Sequence, residues 1–181
     1  MREIYSEQLP YTEIIIDDQI TLRQLSHSEA DVFFQLVDND RGYLRKWLPW
    51  VDSTKNSKDS LDFINSVIQK RRAGEEYGFA VVVDDKPVGH ISLMHIKDGS
   101  EPEIGYWIAS KMSGKGITSK AGIALTDFGF YNLGLKRIII KADPENTASN
   151  KVAEKLGYEL TRQYDDDVDG PTNVWTLNRP D

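Results

Sequence analysis

Two glycines flank a lysine immediately before an apolar-periodic stretch, in the segment KMSGKGITSKAGIALTDFGF (111–130). Glycine adopts unusual dihedral angles at low cost and lets the main chain approach a ligand closely. The N-terminus of the helix that follows offers unpaired N–H groups and a partial positive charge, which favour a bound phosphate or pyrophosphate. Gly114 and Gly116 are therefore candidates for an anion site, and a tight turn is the alternative interpretation.

Two common phosphate-binding motifs do not fit these residues. A Walker A sequence, GxxxxGK[ST], would need a glycine five residues before Gly114, where Ala109 stands. A dinucleotide-binding GxGxxG sequence would need a glycine in place of Ser119. Neither an NTPase nor a Rossmann dehydrogenase is favoured.

The composition predicts one domain, residues 1–181, with 39% hydrophobic and 28% charged residues. The net charge of −7 argues against a nucleic-acid-binding protein and suits a cationic substrate such as an amine. Because the chain has no cysteine, disulfides, thiolate metal sites and a cysteine nucleophile are excluded. No set of side chains has metal-ligand spacing, so no metal is expected.

Three further features of the sequence bear on localisation and surface. The first residues, MREIYSEQLPYTE, carry no apolar core of signal-peptide type, and no run approaches the length of a membrane span. We therefore expect a cytoplasmic protein that does not contact a membrane.

The acidic run DDDVD (165–169) precedes Gly170-Pro171 and predicts a solvated hairpin tip rather than a metal or basic-tail site.

Hydrophobic periodicity predicts an α/β fold with a mixed, mostly antiparallel sheet of six to seven strands and helices on both faces. The predicted strands are 20–25, 77–83, 87–96, 103–109, 136–142, 158–164 and 172–177. One predicted helix begins at the capping-box sequence at 26–29. Three more are predicted at about 60–72, 117–128 and 146–156. In the first helix, Val32, Phe33, Leu36 and Val37 are expected to face the core. The strand–helix–strand unit between Glu103 and Ala142 requires one parallel strand pair.

Three stretches, KMSGKG (111–116), NTASNKVAEKLGYE (146–159) and YLRKWLPWVD (43–52), match motifs of one family. The first resembles the acyl-CoA loop Q/R-x-x-G-x-G/A of the GNAT superfamily of acyl-CoA-dependent N-acyltransferases, with a lysine at its first position. The second is similar to the family's N-x-x-[SA]…EKLGF segment. The third resembles a Trp-rich segment of the RimJ/RimL-type ribosomal-protein N-acetyltransferases. The resemblance extends over about residues 20–177, and it implies a GNAT-type fold.

The resemblance also implies acetyl-CoA as the cosubstrate. Main-chain amides of the glycine loop would bind its pyrophosphate. The strand that ends near Ile108 would diverge from the strand at 136–142, and the pantetheine arm would lie in the gap like an added strand. The residues implied in binding are Trp107, Ile108, Ala109, Met112, Gly114, Lys115, Gly116, Ile117, Thr118, Asn146 and Ser149.

Acetyl transfer to an amine needs a neutral nitrogen and a hydrogen-bond or proton donor for the departing thiolate. Glu103 matches the position of a glutamate base in some family members, with a plain surface carboxylate as the alternative. Many members use a tyrosine seven residues after the asparagine as the acid, but Ala153 stands there. Ser149 is then the candidate donor, although a serine in the first turn of a helix also acts as a cap. His95 is a second candidate base.

Tyr43, Trp47 and Trp50 would line the acceptor site, or would simply pack a connection between two helices. By resemblance to the RimJ/RimL type, the expected acceptor is the N-terminal α-amine of a ribosomal protein, attacking directly in a ternary complex. An α-amine has a pKa near 8, which leaves a usable neutral fraction at pH 7. A polyamine, amino acid or aminoglycoside acceptor and a catalytically silent CoA-binding sensor remain alternatives. The expected assembly is a homodimer.

Overall fold

The structure, a computed structural model, describes residues 13–97 and 99–180. The expectation that the chain begins without a signal peptide concerns mainly residues 1–12, which lie outside the described residues. Asp98 also lies outside the described residues.

In the part of the chain that the structure describes, eight strands form one sheet in the order β1-β2-β3-β4-β5-β6-β8-β7. Their bounds are Glu13–Ile15 (β1), Ile20–Gln24 (β2), Tyr77–Val83 (β3), Lys86–Met94 (β4), Glu103–Ile108 (β5), Arg137–Ala142 (β6), Glu159–Asp166 (β7) and Gly170–Asn178 (β8). Only β5 and β6 pair in parallel, while the other described neighbours are antiparallel. The predicted mixed, mostly antiparallel sheet is confirmed. It has more strands than predicted, because the three residues of β1 are too few for a recognisable alternation.

Within the described residues, five α-helices accompany the sheet: Ala30–Asp38 (α1), Arg41–Leu44 (α2), Ser57–Ala73 (α3), Ile117–Asp127 (α4) and Thr147–Lys155 (α5). Short 3₁₀ turns occupy His27–Glu29, Pro49–Ser53 and Ser110–Met112, and a π-helical turn at Phe128–Asn132 extends α4. The capping box of Ser26 and Glu29 is confirmed. The second long helix begins earlier than predicted, because Asn56 and Asp59 form a further capping box.

Helices cover both faces of the sheet, as predicted. On one face, α1 and α3 pack over a core that includes Phe33, Ile64 and Trp107. We call this the α1–α3 face. On the other face, the α4–α5 face, α4 and α5 contribute Leu125 and Ala153 to a second core. Since strand residues alternate between faces, β3 and β5 supply side chains to both cores, for example Phe79 to one and Ala80 to the other.

One prediction for α1 is wrong. Phe33 and Val37 are buried as expected, and Leu36 is half-buried against the same core. Val32, however, is 40% exposed. A helical face that contacts a sheet covers roughly a third of the circumference, and Val32 lies just outside it.

Candidate active site

The parallel pair β5–β6 opens into a gap. Along β4 and β5 the register is continuous from Met94↔Glu103 to Gly89↔Ile108. Along β5 and β6 the register holds a single pair, Glu103↔Ile139. The two strands therefore diverge beyond Glu103, and the divergence leaves main-chain groups of β5 facing an open space.

A cavity of about 820 Å³ occupies this gap. Its walls come from β5 and β6, from the loop before α4 together with the first turn of that helix, from α5, and from α2 with the segment after it. The lining includes Tyr43, Trp47, Glu103, Tyr106, Met112, Gly114, Gly116, Thr118, Lys141, Asn146 and Ser149. A cavity of this size accommodates a ligand of several hundred daltons.

The glycine loop forms the wall of the cavity at the N-terminus of α4. Gly114 and Gly116 have φ values of 75° and 77°, in the left-handed region that favours glycine. A Cβ added at either position would have no described atom within 4 Å. Gly116 is the N-cap residue of α4, and no side chain of the described residues caps it. The first-turn amides of α4 are therefore presented to a ligand by main chain alone.

The N-terminus of α5 supplies a second wall, on the α4–α5 face. The side chain of Asn146 caps this helix and accepts a hydrogen bond from the Ser149 N–H at 3.1 Å. The Ser149 hydroxyl lies 2.9 Å from the hydroxyl of Tyr106 in β5. Burial raises the pKa of Tyr106 to about 12 and outweighs the opposing effect of its hydrogen bond to Ser149. Tyr106 is therefore a neutral hydroxyl at physiological pH.

An ionised cluster lies on the α1–α3 face of the same strands. Glu103 lies on the same face of β5 as Trp107, which belongs to the core under α1 and α3. On β6, Ile140 belongs to the core under α4 and α5, so the next residue, Lys141, lies on the α1–α3 face. Lys141 Nζ lies 3.8 Å from Glu103 Oε2 and 3.1 Å from Asp169 Oδ2. The hydroxyl of Tyr164 donates to that same Asp169 oxygen at 2.6 Å.

The pKa values of this cluster are shifted. Glu103, with 16% of its side chain exposed, has its pKa raised by burial, while Lys141 and His95 oppose the shift. Burial would lower the pKa of Lys141, but the hydrogen bond to Asp169 and the charge of Glu103 raise it overall. The pKa of Asp169 is lowered by its hydrogen bonds to Tyr164 and Lys141. Lys141 is thus a fixed cation beside a carboxylate that is easier to protonate than usual.

Comparison with protein families identifies the fold. A model of the acetyltransferase (GNAT) domain matches residues 19–159. The chain belongs to the GNAT acetyltransferase family. This confirms the resemblance seen in the sequence. It makes the protein an N-acetyltransferase that uses acetyl-CoA as its acetyl donor.

Individual relatives agree with this assignment. An N-acetyltransferase of Bacillus licheniformis is 30% identical over 162 residues, which cover 84% of this chain and 88% of the relative. The ribosomal-protein-serine acetyltransferase of Escherichia coli (strain K12) is 26% identical, over 82% of this chain and 84% of the relative. Among solved structures, RimL, a ribosomal L7/L12 alpha-N-protein acetyltransferase in complex with coenzyme A, superposes with a TM-score of 0.86. It is 21% identical and covers 92% of this chain and 97% of its own.

The residues present fit a CoA ester. The glycine loop offers main-chain donors with free space above them, which suits a pyrophosphate. Along β5, the N–H of Ala109 is taken by the carbonyl of Val88 at 2.9 Å. Since main-chain groups alternate along an antiparallel pair, Trp107 also faces β4, and Ile108 and Tyr106 turn their N–H and C=O toward the gap. Of the three residues expected to bind the pantetheine arm, Ile108 is thus the one with available main-chain groups.

The other predicted site residues are placed as follows. The cavity is lined by Trp107, Ile108, Met112, Ile117 and Thr118, besides the glycines, Asn146, Ser149, Glu103, Tyr43 and Trp47. Trp50, Lys115 and Ala109 do not line it. Trp50 packs against Trp107 at 5.9 Å between ring centroids. The ammonium of Lys115 lies 3.7 Å from the sulfur of Met112.

The two histidines near β4 have different surroundings. The strand ends at Met94, so His95 lies beyond it with a φ of 60°. His95 lies close enough to Glu103 to lower the pKa of that carboxyl. His90 is buried, and burial lowers its pKa to about 4.

Three residues of the site were missed by sequence reasoning. Tyr106 and Lys141 line the cavity and Asp169 anchors Lys141. The alternation Ile104, Tyr106, Ile108 was a usable signal, because it places the tyrosine on the buried α4–α5 face. A lysine within the otherwise apolar strand RIIIKA was another. Nothing in the sequence connected Asp169 to them.

Within the described residues, no group of three or more His, Cys, Asp or Glu side chains is arranged to hold a metal ion. Over the same residues, no helix has the length and apolar character needed to cross a membrane.

Proposed function

We propose that this acetyltransferase modifies the N-terminal α-amine of a protein, by direct attack of the amine on acetyl-CoA in a ternary complex. The observation that carries the proposal is the gap between β5 and β6. One cavity in this gap contacts both the neutral groups of the α4–α5 face and the ionised cluster of the α1–α3 face. The two substrates can therefore meet at the gap from opposite faces of the sheet.

The donor is held mainly by main chain in this proposal. The amides at Gly114, Gly116, Ile117 and Thr118 bind the pyrophosphate, assisted by the positive end of the α4 dipole. The main-chain groups of Ile108 extend the sheet onto the pantetheine arm. This arrangement brings the thioester to the N-terminus of α5, beside Ser149.

Ser149 is assigned the donor role toward the departing sulfur. Its hydroxyl lies on the cavity wall, while its N–H is held by the cap residue Asn146 at 3.1 Å. A hydrogen bond to a developing thiolate is stronger than one to the thioester sulfur, so it favours the transition state over the ground state. Ala153, at the position where many relatives have a tyrosine donor, is fully buried and contributes no hydroxyl.

Glu103 is assigned the role of base, acting directly or through one water. A carboxyl with a raised pKa is a better match to an ammonium than an exposed glutamate is. An α-ammonium has a pKa near 8, so only a modest base is needed at neutral pH. Tyr43 and Trp47 wall the cavity and are placed to contact the first residues of a peptide.

A ribosomal protein is the acceptor that the comparisons favour. The relative from Escherichia coli is named for a ribosomal-protein serine, and the RimL structure for the α-amine of L7/L12. An acceptor of this kind would place the enzyme in the cytoplasm.

The proposal is tested with a matched panel of acceptors. One peptide begins with a free serine α-amine and contains no lysine, a second is N-terminally blocked and contains one lysine, and spermidine is the third. We expect mass spectrometry to find acetyl transfer from acetyl-CoA to the first peptide alone. Acetylation of spermidine or of the lysine peptide, with the free α-amine unmodified, would overturn the proposal and favour a small-molecule or side-chain acceptor.

A further inference from the structure

The hydroxyl of Tyr106 lies within hydrogen-bond distance of the hydroxyl of Ser149. The two oxygens are 2.9 Å apart, and the Tyr106 hydroxyl is also within donating distance, 3.3 Å, of the main-chain oxygen of Ser149. The tyrosine side chain extends from β5 across the α4–α5 face, where it packs against the apolar core beneath α4. The contact therefore links the divergent strand to the N-terminus of α5.

We propose that Tyr106 is a positioning residue that orients the Ser149 hydroxyl toward the sulfur of CoA. The phenol donates to Ser149 Oγ, the nearer of its two acceptors, and the serine hydrogen is thereby directed into the cavity. No proton leaves either residue in this step. The inference rests on the donor role assigned to Ser149 and adds a residue that determines how well Ser149 performs it.

Three physical arguments support this direction of the hydrogen bond. A phenol is a stronger donor than an aliphatic alcohol, so Tyr106 donates to Ser149 in preference to the reverse. Burial keeps the phenol protonated over the working pH range. A hydroxyl that accepts one hydrogen bond is also polarised, which strengthens the bond it donates in turn.

Packing holds the Tyr106 and Ser149 side chains in this orientation. Tyr106 is half-buried, its ring is held by the core, and its Cα lies opposite Ile91 in the register of β4 and β5. The serine is held by its N–H bond to Asn146. Both partners are therefore fixed before CoA binds, which reduces the entropy lost on forming the transition state.

The decisive readout is the pKa of the thiol of bound CoA, measured by the ultraviolet absorbance of the thiolate. A hydrogen bond from Ser149 stabilises the thiolate and lowers this pKa below that of CoA free in solution, which is measured in parallel. We expect Tyr106→Phe to raise the pKa of the bound thiol by about half a unit to one unit. We expect Ser149→Ala to raise it at least as far. In the Ser149→Ala background, Tyr106→Phe should cause no further change.

Tyr158→Phe is the matched control. Tyr158 is a buried tyrosine whose hydroxyl lies 2.9 Å from the Thr126 hydroxyl, and neither residue lines the cavity. This variant should leave the pKa of the bound thiol at the wild-type value. Ser149→Thr, which keeps a hydroxyl, should retain most of the lowered pKa. Calorimetric titration with CoA verifies that every variant still binds.

Turnover supplies the second readout. Tyr106→Phe should lower kcat about tenfold without changing the KM for acetyl-CoA, and it should have no effect in the Ser149→Ala background. Equal losses in both backgrounds, with an unchanged pKa of the bound thiol, would show a purely structural tyrosine and overturn the inference. If Ser149→Ala itself left that pKa unchanged, the donor role of Ser149 would fail together with the inference. The thiol measurement uses no acceptor, so its outcome is independent of the peptide panel.

Discussion

The two halves of the active site use different chemical groups. The donor half, which we define as the loop at 113–118 with the N-terminus of α5, uses main-chain amides, two left-handed glycines and neutral hydroxyls. The acceptor half, defined as Glu103, Lys141, Asp169 and Tyr164, uses charged and ionisable side chains from three strands and a hairpin tip. They meet where β5 leaves β6.

The difference follows from what each half must do. A pyrophosphate keeps its charge throughout the reaction, so fixed main-chain dipoles bind it without any change of protonation. An attacking amine must lose a proton, and a titratable carboxyl near a fixed cation can adjust its pKa for that task. Substitutions in one half should therefore leave the function of the other half intact.

The largest effect is expected for Glu103→Gln. The amide cannot accept a proton, so kcat/KM for the peptide should fall on the order of 100-fold or more. The dissociation constant of acetyl-CoA, measured by calorimetry, should stay within twofold of the wild type. Glu101→Gln is the control, because Glu101 pairs with Arg137 and Arg162 and does not line the cavity. A weakened affinity for acetyl-CoA in Glu103→Gln would contradict the separation of the halves.

Gly116→Ala should produce the complementary result. A side chain at a φ of 77° costs on the order of 1–2 kcal/mol, which the loop relieves by moving its amides. We expect calorimetry to show about tenfold weaker binding of acetyl-CoA. The KM for the peptide should not change.

Gly134→Ala is the control for backbone strain. Gly134 has a φ of 70°, and an added Cβ would likewise meet no described atom within 4 Å, but it lies outside the cavity. It should lose comparable thermal stability and keep its affinity for acetyl-CoA. Equal losses of affinity in both variants would show that the effect at Gly116 is not local.

The same contrast explains what the sequence could predict. Donor-half features are local: glycines at a helix start, and a capping asparagine three residues before a serine, are visible in short windows. Acceptor-half features are tertiary. Asp169 follows Lys141 by 28 residues and reaches it only because β8 inserts between β6 and β7. The acidic run is an exposed hairpin tip as predicted, but periodicity contains no information that one of its carboxylates turns back to the site.

The pH dependence tests the acceptor half directly. Lys141 lowers the pKa of Glu103, so Lys141→Met should raise that pKa. Glu103 must be ionised to act as base, and activity is lost as the pH falls through its pKa. The acidic limb of the kcat profile should therefore move to higher pH. Lys141→Arg keeps the charge and should leave the limb in place.

A direct measurement separates this shift from ionisation of the acceptor amine. The ¹³C chemical shift of the Glu103 carboxyl, followed by NMR without substrates, should titrate at higher pH in Lys141→Met than in the wild type. Lys58→Met, which removes an exposed lysine paired with Asp62, should have no effect. An unchanged or lowered titration midpoint in Lys141→Met would contradict the assigned electrostatics.

The smallest effect on kinetics is expected for Asp40→Ala, which removes the hydrogen bonds between α2 and the turn at Ser110–Met112. Asp40, at the start of α2, accepts hydrogen bonds from the Ser110 hydroxyl at 2.7 Å and from the Ser110 N–H at 2.5 Å. These bonds connect the start of α2, the helix that carries Tyr43, to the turn that precedes the glycine loop. Asp40→Ala should therefore raise the KM for acetyl-CoA and the KM for the peptide together, each by a few-fold, because an exposed contact of this kind contributes little alone.

Asp38→Ala is the matched control, since Asp38 is exposed on the neighbouring turn of α1 and pairs with Arg41 at 2.7 Å. It should leave both KM values near the wild type. If Asp40→Ala changed only one KM, the two halves would be independent even at their shared boundary. A joint change would instead mean that the site has two chemically separate halves whose positions are coupled through Ser110.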